Sequence, residues 1–249
     1  MQRDFARNPT TVVHDDPDLL WVTTEGSNSW FNGASWCALG RDADARIAAV
    51  GQGAHAVGSR AQWITSPSCG PGDLETRLES VGWQPEVEPG MFVATDADFP
   101  PRPDELLIDQ VATAAQVREW TDLFDSSFGI DPPRGDDHPW LQPWRHLCLG
   151  PTSPYRLFIG RREGVAVSCS MAFLDRDSVG LYGIGTPPEF RGRGYGSALT
   201  VAGIEWGASN GASVAVLQAS EMGEPVYRSL GFRRVFDMIA WSLPLPDQS

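Results

Sequence analysis

Residues Arg191-Gly192-Arg193-Gly194-Tyr195-Gly196 constrain this chain more than any other stretch. They follow an apolar run at 179–186 and a Pro187-Pro188 turn, and they open a long helical pattern. A strand, a glycine-rich turn and a helix start in succession predict an α/β arrangement with an anion site at the junction. The first helical turn leaves its N–H groups without intrahelical partners, and the aligned peptide dipoles add about half a positive charge there. Glycines at 192, 194 and 196 let the backbone close around a diphosphate, because a Cβ would hold the amides away. Arg191 and Arg193 add fixed charge with two-point geometry.

The surrounding letters decide which diphosphate is meant. A Walker loop requires Gly-Lys-Ser/Thr, whereas this loop continues Gly196-Ser197-Ala198 and the chain has no lysine. In a dinucleotide fingerprint the third glycine would fall on Ser197 or Leu199. The pattern that fits is Arg-x-x-Gly-x-Gly, which resembles the coenzyme A loop of the GCN5-related N-acetyltransferases. Downstream, 199–210 reads as a helix stopped by Asn210-Gly211, 213–219 as a buried strand, 224–230 as a short helix closed by Gly231, and 236–243 as a last strand. Pro225-Val-Tyr-Arg-Ser-Leu-Gly-Phe232 resembles the second signature of that family, with Tyr227 four residues ahead of Gly231-Phe232. Upstream, 114–128 reads as a helix, and the Trp- and Pro-rich stretch 132–149 has room for a second. The segments 155–160, 165–174 and 179–186 read as three strands joined by tight polar turns. The resemblance spans about residues 104–245.

The resemblance implies an α/β mixed-sheet acyltransferase fold and acetyl-CoA, or another acyl-CoA, as co-substrate. The donor would be held by Ile184, Gly185 and Thr186 on the strand and by Arg191, Gly192, Arg193, Gly194, Tyr195, Gly196 and Ser197 on the loop. That strand is expected to splay from its neighbour at a bulge and to pair with the pantetheine arm. Tyr227 is the candidate acid for the leaving thiolate. The strand carries no carboxylate base. Ser220 stands where relatives carry Asn, or Glu221 acts through water. Phe128, Trp140 and Trp144 are candidate walls for the acceptor, a small-molecule amine, with Asp136, Asp137 and His138 nearby. A non-catalytic acyl-CoA sensor or partner subunit, or an enzyme using a longer acyl-CoA or an aminoacyl-tRNA, are the alternative readings.

The first hundred residues read as a second unit. The Pro-rich stretch 97–104 divides the chain into 1–96 and 105–249. Within the first part, 61–65 reads as a strand, 72–81 as a helix, Gly82-Trp83 as a stop and 90–94 as a strand, echoing the order at the C-terminus. Aligned on Gly82 and Gly231, Leu78 takes the place of Tyr227. Gly51-Gln-Gly53 is the nearest approach to a cradle, and it has no arginine. The first part is expected to be a degenerate copy of the second.

Composition closes off other classes. A net charge of −13, from 19 arginines against 32 acidic residues, opposes nucleic acid as a general partner and favours cationic acceptors. The apolar runs are of strand length and the N-terminus lacks an apolar core, so neither a membrane span nor a secretory signal is expected, and the cytoplasm is the default. Cys37, Cys69, Cys148 and Cys169 lack metal-ligand spacing, as do the four scattered histidines, so reduced thiols and no metal are expected. Monomer and homodimer both fit.

Overall fold

The computed structural model describes residues 2–25, 31–130, 141–150 and 152–246. By contacts the chain divides into two compact units, residues 1–88 with 236–249, and residues 89–235. These units do not coincide with the sequence division at 97–104, because each contains a strand that the chain delivers from outside its own half.

The first unit begins with a 3-10 helix, Gln2–Arg7, and continues through β1 (Thr11–Asp15), β2 (Leu19–Thr24), β3 (Gly33–Cys37), α1 (Ala43–Ala56), β4 (Ala61–Thr65) and α2 (Leu74–Ser80). β1 pairs antiparallel with β2, β2 antiparallel with β3, and β3 parallel with β4. The outer edge of β4 is closed by the chain's last strand, β11 (Arg233–Leu243), running antiparallel with Ile239 opposite Thr65 and Leu243 opposite Ala61. Trp63 and Trp241, both fully buried, anchor this join, and the Trp241 indole donates to Thr65 Oγ1 at 3.0 Å.

Gly51 and Gly53 lie inside α1, not in a loop. A Cβ at Gly51 would come within 2.8 Å of Leu243 Cδ2, and one at Gly53 within 2.6 Å of Trp21. They are packing glycines that let α1 approach its sheet. The apolar stripe Ala43, Ile47, Val50 and Ala54 is the helical signal that these glycines mask.

The second unit includes the end of β5 (Gln84–Ala94), whose residues 90–94 pair antiparallel with β10 (Val214–Gln218). Between them the chain lays down β6 (Leu106–Gln110), α3 (Ala114–Phe128), α4 (Leu141–Cys148), β7 (Tyr155–Arg162), β8 (Val165–Asp175), β9 (Ser178–Gly185), α5 (Tyr195–Ser209) and then, after β10, α6 (Glu224–Ser229). The strands from β6 to β9 form an antiparallel meander, and β9 pairs parallel with β10. Along β2-β3-β4-β11 the pairing runs antiparallel, parallel, antiparallel, and along β8-β9-β10-β5 it runs the same way. The same order of pairings thus recurs in the two units. No helix among the described residues is long and apolar enough to cross a membrane.

α3 starts at a reciprocal cap. Thr113 Oγ1 accepts from the Gln116 N–H at 3.2 Å, and the Gln116 side chain accepts from the Thr113 N–H at 3.1 Å. α5 is the main buried helix, and it lies on the sheet through small residues. A Cβ at Gly207 would stand 2.5 Å from Val179 Cγ1, and one at Gly203 2.6 Å from Leu181 Cδ2. Alanine is the better helix former by about 1 kcal/mol, but overpacking a stiff β-branched neighbour costs about 1–3 kcal/mol. Gly207→Ala is thus expected to lower the thermal midpoint by several degrees. An unchanged or raised midpoint in calorimetry would show that α5 has room to shift.

Candidate functional site

The site is built where two parallel strands part. β9 and β10 are paired only from Ser178–Gly180 to Val214–Val216, yet β9 runs on to Gly185 and β10 to Gln218. On its other edge β9 slips register against β8, with Met171 opposite Tyr182 but Cys169 opposite Gly185, so β9 carries one extra residue. Gly183 in this bulge has φ +56°, and a Cβ there would press on Phe124 at 3.2 Å. The bulge is tied down from β8. Cys169 Sγ donates to Gly183 O at 3.6 Å, Ser168 Oγ donates to Gly185 O at 2.8 Å, and Ser168 and Thr186 hydroxyls share a hydrogen bond of 2.9 Å. Burial pushes the Cys169 thiol up to about 12, which suits a hydrogen-bond donor and not a nucleophile.

After a 3-10 turn at Pro188–Phe190 the chain enters the glycine loop. Gly192 and Gly194 have φ +75° and +78°, so the loop is a left-handed turn that glycine alone enters without strain. Gly196 differs: it lies in the helix, and a Cβ there would sit at ordinary distances from Thr186 Oγ1 (3.7 Å) and Ile184 Cγ2 (3.9 Å). α5 begins at Tyr195 on Gly194 as N-cap, with no side-chain cap. The first-turn amides at Tyr195, Gly196 and Ser197 are consequently left for an external acceptor.

The two arginines of the loop differ from the paired charges that the sequence suggested. Arg191 Nε donates to Thr186 O at 2.9 Å and its Nη2 to Ser127 O at 2.8 Å. Arg193 is exposed and does not line the cavity described below. It stands near Glu105, whose carboxyl is held below the usual range by a hydrogen bond to its own backbone N–H and by the Tyr195 hydroxyl, with Arg162 and Arg193 adding their charge. The Tyr195 ring is buried in the core and its hydroxyl donates to Glu105 at 3.1 Å, so this residue offers the site its backbone.

A cavity of about 350 Å³ opens over the loop, within the range of small-ligand sites. It gathers Ile184 and Gly185 from β9 with Thr186 just past its end, Arg191, Gly192 and Gly194 from the loop, Tyr195, Gly196 and Ser197 from the first turn of α5, and Ser220 and Tyr227 from the region after β10. Tyr227 projects from α6, its ring edge-on to Phe232 at 5.8 Å. Burial pushes its phenol up to about 12. Its hydroxyl has no hydrogen-bond partner among the described residues. Ser220 Oγ accepts from the Gly223 N–H at 3.2 Å, which shapes the turn into α6 and leaves the hydroxyl proton free to donate. Glu221 is exposed and does not line the cavity.

Of the three aromatic candidates, Phe128 is half-exposed and lines the cavity. Trp144 does not. It is buried in α4, edge-on to Trp120 at 5.9 Å, because the short amphipathic helix turns its aromatic face to the core. Trp140, with Asp136, Asp137 and His138, lies outside the described residues. Sequence reasoning missed Ser127, Phe190, Met222, Gly223 and Val226, which also line the cavity. All but Ser127 flank motif residues, and that adjacency was the available signal. Among the described residues no group of three or more His, Cys, Asp or Glu is placed to hold a metal ion.

The corresponding place in the first unit is chemically inverted. α1 begins after Asp42, with Asp44 in its first turn. Arg46 there is hydrogen-bonded to Asp16 at 2.9 Å and to Asp18, with Asp42 at 3.8 Å. Carboxylates of the chain itself thus occupy the ground that an anion would need.

Residues 117–232 match the model of the acetyltransferase (GNAT) family. No match is found among curated protein sequences. Among solved structures, a GCN5-related N-acetyltransferase from Kribbella flavida is similar at TM-score 0.74 and 15% identity, over 99% of this chain and 93% of that one. A GCN5-related N-acetyltransferase from Sphaerobacter thermophilus is similar at 0.59 and 15%, over 92% and 82%. A tandem GNAT protein from the clavulanic acid biosynthesis pathway is similar at 0.62 and 12%, over 99% and 88%. At these identities the likeness is one of fold. The family model thus covers residues 117–232, a little under half of the chain, and the solved structures share the fold.

Proposed function

We propose that the second unit transfers an acetyl group from acetyl-CoA to the amine of a small molecule. The observation that carries this reading is one cavity that holds both an uncapped helix start, with two left-handed glycines, and the Tyr227 phenol. The amides of residues 195–197 would take the pyrophosphate. The open edge of β9 beyond Gly180 would pair with the pantetheine arm. A backbone N–H near the bulge would polarise the thioester carbonyl, an interaction worth on the order of 3 kcal/mol in comparable oxyanion sites.

The chemistry balances with these groups. The amine lone pair attacks the carbonyl carbon, the C–S bond breaks, and the sulfur takes the proton of Tyr227. The ammonium formed on attack gives up its own proton, which restores the phenol. A phenol pushed up to about 12 stays protonated across the assay range, and because it is a weaker acid than the leaving thiol, at about 8.5, it can pass its proton to sulfur only as it takes up the proton of the ammonium.

The first unit is read as a degenerate companion without a donor site, since its helix start is occupied by Asp42, Asp44 and the Arg46 cluster. Calorimetric titration with acetyl-CoA is therefore expected to give one site per chain. Absence of binding below the millimolar range would remove the acyltransferase reading, and two equivalent sites would remove the degenerate one.

One observation favours a second reading, a non-catalytic acyl-CoA sensor: no carboxylate is among the cavity-lining residues. Release of free thiol, followed with DTNB across a panel of amines, separates the two. Turnover with any amine supports the enzyme, and tight binding with no release supports the sensor.

A further inference from the structure

Arg191 stands apart in the loop because its side chain is already engaged. Its Nε reaches Thr186 O at the end of β9, and its Nη2 reaches Ser127 O in the last turn of α3, at 2.9 and 2.8 Å. The last carbonyls of a helix have no intrahelical donor and carry the negative end of the dipole, so a cation is well placed there. The planar guanidinium presents N–H groups on separate nitrogens and can hold two carbonyls from different elements at once. A lysine ammonium is a single point.

The two elements that Arg191 joins are in close contact between its anchor points. A Cβ on Gly185 would come within 2.7 Å of Ser127 Cβ and 3.1 Å of Phe128 Cε2, so the end of α3 lies directly on the β9 backbone. The next residue after Ser127 is Phe128, whose ring leans on Phe124 at 4.6 Å and forms a wall of the cavity. The α3 terminus is finished by Gly129 in the left-handed region, with the Gly129 and Ile130 N–H groups donating to Asp125 O.

We propose that Arg191 is a positioning residue and not a phosphate ligand: its guanidinium clamps the carboxyl end of α3, and with it the Phe128 wall, onto β9. The inference rests on reading the cavity as the acyl-transfer site. It divides the labour of the loop. The backbone amides serve the donor, and the first side chain sets the wall that the acceptor meets.

Two variants of the full chain test it, Arg191→Gln and Arg191→Lys. Hydrogen exchange at the Gly129 and Ile130 amides is expected to quicken by roughly tenfold in both, because neither side chain spans two carbonyls. Calorimetric affinity for CoA is expected to stay within about threefold of the parent. With the best amine from the thiol-release panel, the KM for the amine should rise while that for acetyl-CoA holds, a split that general loosening would not produce. The clamp is overturned by unchanged exchange at those two amides. It is equally overturned if CoA binding weakens tenfold or more in Arg191→Gln and recovers in Arg191→Lys, the mark of a simple charge on phosphate. Should the parent protein bind no CoA, the acyltransferase reading falls, and the exchange comparison still decides the clamp.

Discussion

Tyr227→Phe is expected to lower kcat by about 10²–10⁴-fold, the usual worth of a positioned general acid, while acetyl-CoA binds as before. The change removes one oxygen and leaves the ring against Phe232. The lost hydroxyl has no partner among the described residues, so no buried donor or acceptor is orphaned and the fold should be little affected. The pH dependence adds a second check. With the phenol pushed up to about 12, no fall in kcat from its ionisation is expected between pH 8 and 10. Stability should behave differently. The folded state holds the phenolic proton up to about 12 and the unfolded state releases it near 10, so stability is lost as pH rises through that window, and the loss should shrink in the variant. A drop in kcat of less than about threefold would return Tyr227 to the role of a packing aromatic.

Gly194→Asp is expected to abolish CoA binding, with loss beyond the reach of calorimetry, while circular dichroism remains that of the parent. Gly194 is the N-cap of α5, and its φ of +78° lies in the left-handed region, which Asp enters at lower cost than most residues. A Cβ at this position meets only Pro103 Cγ, at 3.7 Å, so there is space for the side chain. The carboxylate would compete for the first-turn amides and set a negative charge where the pyrophosphate is to lie. Gly194→Ala, which carries the backbone strain without the charge, is the control and should lose far less affinity. Equal losses in the two variants would assign the effect to the backbone.

The second unit was legible because its signals are local. α3 runs over the residues its pattern predicted, Ala114–Phe128, since a capping Thr113 and a left-handed Gly129 bracket one amphipathic run. The glycine loop was pointed to by its glycines and arginines and Tyr227 by the family resemblance, and they meet in one cavity. The partner of each loop arginine could not be read, because a motif letter does not say whether the backbone or the side chain of Arg191 acts. Trp144 shows the converse limit. An aromatic in a Pro-rich stretch suits a wall or a core equally, and here the facing Trp120 decides for the core. In the first unit β1, β2, β3 and α1 went unpredicted, the helix because Gly51 and Gly53 imitate loop signals while serving close packing. β6 was missed because it is short and half-polar and follows directly on the Pro-rich stretch. The exchanged strands were out of reach, since pairing between distant segments leaves no local periodicity.

That exchange has a consequence for how the protein is made. Trp241 meets Thr65 across 176 positions of sequence. On a ribosome the β4 edge, Trp63 included, therefore stays without its partner strand until β11 has been synthesised. Such an edge is an invitation to non-native pairing. A chain cut short before β11 would leave that edge open, although every other strand of the N-terminal sheet had been synthesised.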